Sequence, residues 1–208
     1  VPVYEPLGHI PLLIAHPGIA PGTCDALTTS VDLFATLAEF FGVNVRQRTH
    51  GRSLLPLLRG ATISVRDWLL TGVWGREVHY IDGARKYARA PVGDNAPLTM
   101  MSNRWSTMPT HFLTREQELP LPDERAFLDR MPGSAVPVIH QRWDKDDHIP
   151  FWARAQFSGH HLYDLESDPS EEENLAGTAL EADYEERLRT ALAELDAPSA
   201  QFERLGLG

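Results

Sequence analysis

A chain of 208 residues is long enough to bury the core of one domain or slightly more, and its apolar and charged fractions, 42% and 23%, are those of an ordinary globular protein. A formal charge of −10 argues against nucleic acid, whose phosphates call for clustered Lys and Arg, and against an anionic membrane surface. One cysteine, Cys24, excludes an intrachain disulfide framework, a zinc ribbon and a CxxC redox pair, and leaves the compartment open. No apolar run approaches the roughly eighteen residues of a membrane span. The opening "VPVYEPLGHI" has neither the charge pattern of a signal peptide nor an initiator Met, so the expectation is a chain that starts partway through a longer sequence.

The first predicted element lies in "HIPLLIAHPG". Residues 10–15 are apolar without alternation and end at Pro17 and Gly18, which predicts a strand buried on both faces of a sheet. In "TTSVDLFATLAEFFGV", Phe34, Leu37, Ala38 and Phe41 share one helical face, Thr29 with Asp32 resembles a capping box, and Gly42 suits the stop. Past "HGRSLLPLLRG", the stretch "WLLTGVWGREVHYIDGARKYARAP" predicts two strands about Asp82-Gly83, a dipeptide that tolerates the positive φ of a tight turn. The returning strand, 85–90, mixes polar and apolar residues as if one face were wet. Residues 91–150 show little period of either kind. Their aromatic anchors Trp105, Phe112 and Trp143, with Phe151 and Trp152 just beyond, predict ordered loop with short helices rather than a disordered linker.

"HHLYDL" predicts one more strand. In "LYDLESDPSEEENLA", Asp168-Pro169 sets a turn, Ser170 and Glu173 can cap a helical turn, and Leu162, Leu165 and Leu175 form the buried side. This reading as structural glue is preferred over a calcium site made from Asp164, Glu166 and Asp168, because calcium needs more converging oxygens. Finally Tyr184, Leu188, Ala191, Leu192 and Leu195 recur at helical spacing behind the acids Glu181, Asp183, Glu185 and Glu186, which predicts a C-terminal helix.

Taken in order, "IPLLIAHPG", "VDLFATLAEFFGV", "HGRSLLPLLRG", "DGARKYAR" and "LYDLESDPSEEENLAG" resemble the C-terminal portion of a sulfatase of the alkaline phosphatase superfamily. The block "MPTHFLTREQELPL" also resembles a subset of bacterial sulfatases. The resemblance implies an α/β fold, with the last strand and helix of the large sulfatase domain in residues 1–62. Residues 63–208 would then hold a small antiparallel sheet, a long loop region and the C-terminal helix. It also implies, for a full-length enzyme, a formylglycine made from the Cys or Ser of a Cys/Ser-x-Pro-x-Arg motif, and a calcium ion. A metal and cationic donors suit a transferring sulfuryl group because its negative charge spreads over the oxygens.

That machinery is not recognisable in this sequence. Cys24 in "GTCDAL" lacks Pro and Arg at the required offsets and reads as a small loop or core residue. The metal-binding carboxylates of the family would lie before Val1. Among the other constellations, adjacent His160 and His161 point to opposite faces of a strand, and the acidic run 144–148 reads more readily as a solvated loop than as a cation site. Gly-x-Ser-x-Gly, P-loop and dinucleotide fingerprints are absent. Trp74, Arg104 and His111 are the candidate substrate-binding residues, since they fall in loops and are of types that recognise anionic or aromatic groups. Each also has a plain structural reading, Trp74 as core and the other two as surface hydrogen-bonders.

The expectation is therefore the C-terminal part of a sulfatase, inactive alone, with no catalytic residue and no metal or cofactor site of its own. It would lend stability and part of a pocket for a small sulfate ester to a missing N-terminal catalytic half. Two alternatives stay open: a non-catalytic oligomerisation or binding module, and a piece of a related phosphodiesterase or phosphonate hydrolase. The cut edge of the strand at 10–15 predicts a homo-oligomer, with Leu12, Leu13 and Ile14 buried at an interface or against the helix that follows.

Overall fold

The computed structural model describes residues 3–103 and 121–208. In chain order they form α1 (Glu5–Gly8), α2 (Val31–Phe40), α3 (Leu55–Leu58), β1 (Leu69–Gly72), β2 (Val78–Ile81), β3 (Arg85–Arg89), β4 (Leu98–Ser102), β5 (Phe127–Arg130), β6 (Pro137–Trp143), β7 (His161–Asp164), α4 (Ala179–Glu194) and α5 (Ser199–Leu205). Among the described residues, no helix is long and apolar enough to cross a membrane.

The Asp82-Gly83 turn joins β2 to β3 as its sequence predicts. Gly83 takes φ +93°, and the Asp82 carboxylate accepts the N–H groups of Ala84 and Arg85, closing the turn from its own side chain. The resulting antiparallel sheet has the order β1-β2-β3-β7, with Tyr80 opposite Tyr87 and Tyr87 opposite Leu162. These three side chains share one face and bury against Tyr184, Leu188, Ala191 and Leu192 of α4 and against Leu205 and Leu207. The C-terminal helix is thus as expected, and α5 adds a second helix to the same core.

β3 departs from the expected half-wet strand. Lys86, Tyr87, Ala88 and Arg89 are all buried, because both faces of the sheet are covered. On the α4 side, Arg89 is fixed by Glu185 at 2.7 Å and by the carbonyls of Leu205 and Gly206. On the other side, Lys86 Nζ lies 2.8 Å from Glu171 and 3.6 Å from Glu5. The N-terminal segment covers this face, with Tyr4 set against Phe157 and Tyr163. Burial of an ammonium is tolerated only because two carboxylates meet it.

Residues 91–150 hold a second antiparallel sheet, β4-β6-β5, where loop with short helices was expected. Alternation is hard to read there because β6 buries Val138, Gln141 and Trp143 while its remaining positions are partly or fully exposed, a mixture of faces with a polar residue inside. Gln141 is satisfied by Asp123 on both sides of its amide. In the 161–177 segment the cap is Asp168, whose carboxylate accepts the N–H groups of Glu172 and Glu173; Ser170 does not cap there, and no helical turn follows.

Two N-terminal expectations are corrected. Residues 10–15 form no strand, and Ile10, Leu12, Leu13 and Ile14 are exposed, Leu13 at 89%. A strand of this kind needs hydrogen-bonded neighbours, and no described strand runs beside it. The helix α2 has the expected limits. Asp32 accepts the Thr29 N–H, and Gly42 at φ +65° is followed by a Val43 N–H bond to Ala38, a Schellman-type ending. Its orientation is the surprise. Asp32 and Thr36 are buried, while Phe34, Leu37 and Phe41, the expected core face, are exposed at 56%, 56% and 70%. The buried side is polar because Asp32 binds the Arg66 guanidinium and the Arg52 N–H, and Thr36 accepts the Leu54 N–H. Gly51 permits this docking, since a Cβ there would lie 2.1 Å from the Val31 carbonyl.

Candidate functional site

A cavity of about 450 Å³, open to solvent, lies where the start of α2, the β1–β2 turn, β4 and α5 meet. Trp74 forms one wall. Its indole Nε1–H donates to the Thr99 carbonyl at 2.8 Å, and its ring meets Trp143 edge-on at 5.0 Å, so the ring plane is held against the β4-β6-β5 sheet. The neighbouring Gly75 has φ +80° and lies so close to the Ala153 carbonyl that a Cβ would come within 2.2 Å of it. Any side chain at that position would push the Trp74 turn away from the 151–153 segment.

Two buried charges border the same space. Arg204, in α5, is 2% exposed, and it donates from Nη1 to the Arg76 carbonyl and Asn95 Oδ1 and from Nε to Gln201 Oε1. Burial pushes its guanidinium down to about 10, with the Glu77 charge acting weakly the other way; it remains a cation at neutral pH. Glu77 is 2% exposed, and its Oε1 accepts the N–H groups of Gln156 and Phe157. Among the described residues, no histidine, cysteine or lysine lines the cavity. Its walls suit binding and orienting a ligand.

Of the three residues singled out in the sequence, Trp74 lines this cavity; Arg104 and His111 lie outside the described residues. Glu77 and Arg204 went unnoticed because neither falls in a motif, and only the packing of α5 onto β4 and the β1–β2 turn brings Arg204 to the cavity. The other candidates resolve as structural. In the acidic run 144–148, Asp144 and Asp147 join Asp123 around Arg125, whose guanidinium holds the Asp123 and Asp147 carboxyls below the usual range. Asp164 and Asp168 accept local backbone N–H groups, and Cys24 is exposed. A smaller groove beside Trp68 and Tyr80 already holds a cation of the chain itself, Arg187, paired with Asp183 and set 5.0 Å over the Tyr184 ring.

No family model matches the chain. Over 61 residues, 29% of this chain and 11% of the relative, it is 43% identical to arylsulfatase K of Xenopus laevis. Over 60 residues, 27% of this chain and 12% of the relative, it is 42% identical to the choline-sulfatase of Rhizobium meliloti (strain 1021). The chain is sulfatase-related. The matched stretches cover only about a ninth of each curated relative's length. A solved chain described under the metabolism of multiple glycosaminoglycans by Bacteroides thetaiotaomicron aligns with 77% of this chain and 24% of its own length, at 17% identity and a TM-score of 0.38, too loose a likeness to define the fold. Two observations bear on the calcium and formylglycine that the resemblance implies for a full-length enzyme. The modification motif is absent from the sequence, and among the described residues no three His, Cys, Asp or Glu side chains gather as metal ligands.

Proposed function

We propose that this chain is the C-terminal portion of a sulfuric ester hydrolase, acting with an N-terminal portion that carries the formylglycine and calcium. The observation that supports this most strongly is the reversed polarity of α2. Val31, Phe34, Leu37, Phe40 and Phe41 are exposed together while Asp32 and Thr36 are buried; the apolar run at 10–14 is exposed as well, and His16, just after it, meets Phe40 at 5.5 Å. An apolar stripe of this width is the face a helix presents to a core. Its occupant is the N-terminal α/β body of the enzyme, since the 61 and 60 matched residues are only 11% and 12% of the curated sulfatases, which makes each of them much longer than this chain. In that assembly the cavity at Trp74 forms part of the substrate pocket.

The test is complementation. The chain alone, assayed with 4-nitrophenyl sulfate and calcium, is expected to show no turnover. Co-expression with the N-terminal portion of its own gene product is expected to restore it, and Phe34→Glu with Leu37→Glu to prevent co-purification. Turnover by the chain alone overturns the reading. So does a gene product with no sulfatase-like portion upstream, which would favour the oligomerisation module. Hydrolysis of phenyl phosphonate esters in preference to sulfate by the complemented protein would move the assignment to the related phosphonate hydrolases.

A further inference from the structure

We propose that residues 3–9 form an acid-released strap, closed over one face of the β1-β2-β3-β7 sheet at neutral pH and let go when His79 in that face takes up a proton. The strap is held mainly by side chains. Tyr4 sets its ring against Phe157 at 5.9 Å and Tyr163 at 6.4 Å, the Glu5 N–H donates to Glu171 Oε2, and the Glu5 carboxylate lies 3.6 Å from Lys86 Nζ. The backbone bonds of the single helical turn α1 stay within residues 4–10, and α1 buries none of its own residues. A segment tied down by a few side chains and by no strand ladder opens locally at a fraction of the cost of unfolding the sheet.

The covered face is unusually rich in groups that water would welcome. Strand register puts His79 opposite Ala88, Ala88 opposite His161, and Lys86 opposite both Ile81 and Tyr163, so His79, Lys86, His161 and Tyr163 share it. His79 is 1% exposed, and its Nδ1 has no hydrogen-bond partner among the described residues. Lys86 Nζ and Glu171 Oε1 lie 2.8 Å apart, yet neither has a well-directed hydrogen bond among the described residues. Sealing such atoms from water has a cost that opening relieves. The groups around His79 come from four directions: Lys86 from β3, His161 and Tyr163 from β7, Tyr4 and Glu5 from the strap, and Glu171 from the turn after β7. Phe157 completes the cover by stacking on His161 at 4.0 Å, with its N–H held by Glu77. Burial, and then the Lys86 charge, lowers His79 to about 3 from 6.5; burial lowers His161 in the same direction, with Glu77 acting weakly the other way. Above pH 6.5 His79 is neutral in both states and does not act on the strap. Between 6.5 and 3 the open state binds a proton that the closed state refuses, so each pH unit favours opening by a factor of up to about ten. The exposed His9 pairs with Glu5 at 3.3 Å within the same turn, so its charge travels with the strap and selects neither state. The device lies within this chain and does not depend on the proposed N-terminal portion.

The experiment is hydrogen exchange of the full 208-residue chain, read by mass spectrometry at pH 7 and pH 5 with the intrinsic exchange rates divided out. Protection of peptides covering residues 3–9 is expected to fall by about tenfold from pH 7 to pH 5, while α4 stays far more protected at both, which separates release of the strap from unfolding of the chain. His79→Gln keeps a polar side chain that does not titrate and should reduce the pH effect to less than about threefold. Because a substitution in β2 can weaken the sheet, Glu5→Gln supplies a second test outside the strands. It removes the attraction to Lys86, so it should lower the protection of residues 3–9 at pH 7 about threefold, and it should raise the titration midpoint of the His79 ring proton resonances by about half a pH unit, as linkage requires of a ring gated by the strap. A full pH effect in His79→Gln overturns the proposal, as does equal protection of residues 3–9 at the two pH values or no protection of them at pH 7. A His79 midpoint that Glu5→Gln leaves in place overturns it too, by showing that the ring is sealed without the strap. None of these outcomes bears on complementation by the N-terminal portion, and failed complementation leaves the exchange result standing.

Discussion

His79 sits in β2 at 1% exposure with its Nδ1 unbonded among the described residues and with Lys86 beside it. Burial, and to a lesser degree the Lys86 charge, pushes its pKa down to about 3 from 6.5. Above pH 6.5 the ring is neutral whether folded or not and contributes nothing. As the pH falls from 6.5 toward 3 the unfolded chain binds a proton that the folded one refuses, so stability is lost across that window. Burial lowers His160 and His161 in the same direction. Urea unfolding should therefore give a free energy lower by about 2 kcal/mol at pH 5 than at pH 7, and His79→Leu should remove most of that difference. A flat profile would show that the ring reaches water. At the hairpin, Gly83→Val forces a β-branched residue into φ +93° and should cost about 1 kcal/mol or more in the same assay, although the space around it is open, with Leu27 at 3.9 Å.

Among the elements, α2 and α4 have similar apolar spacing and opposite fates. Both repeat large apolar residues at three and four positions, and α4 buries its stripe against Tyr80, Tyr87 and Leu162 while α2 exposes its own. What separates them is the company of each helix. α4 lies on a sheet whose inward residues are aromatic and aliphatic; α2 is pinned by Asp32 to Arg66 and by Thr36 to the Leu54 N–H, which turns its polar side inward. Truncation should report this difference. Leu188→Ala, at a fully buried position, should cost about 2–5 kcal/mol through the cavity it leaves. Phe34→Glu, at 56% exposure, should change the stability of the chain alone by no more than about 0.5 kcal/mol. A large loss at Phe34 would place that ring in a core of this chain.

For the whole molecule, the apolar surface of α2 and of residues 10–14 has a consequence in solution. In the absence of the proposed N-terminal portion, two copies can cover these faces with each other, so the 23.3 kDa chain should show a mass above that of the monomer in light scattering at high concentration. Leu13→Lys combined with Phe34→Glu should return it toward the monomer. A monodisperse monomer at high concentration in the unsubstituted chain would remove the case that these faces seek a partner. The acid-rich C-terminal helix does not supply such a surface, since Asp183, Glu185 and Glu186 already pair with Arg187, Arg189 and Arg89.

The sequence by itself determined the elements whose signals are local. The Asp82-Gly83 turn, the helix 179–194 and the strand at "HHLYDL" could be read because side-chain spacing and turn chemistry act over a few residues. The ordered motifs from "VDLFATLAEFFGV" to "LYDLESDPSEEENLAG" pointed to sulfatases for the same reason, and the matches to arylsulfatase K and choline-sulfatase agree with them. Tertiary structure alone decided which way each apolar pattern faces. Residues 10–15 read as a buried strand because hydrophobicity states what a segment prefers to touch, not whether a neighbour is there to touch it. The β4-β6-β5 sheet escaped notice because Gln141 is buried, satisfied by Asp123 from a distant loop, and so breaks the alternation. At the cavity, Trp74 could be suspected from its place in a loop, but Arg204 could not. Its role arises when α5 folds 128 residues back onto the Arg76 carbonyl, and a contact of that separation leaves no trace in local spacing.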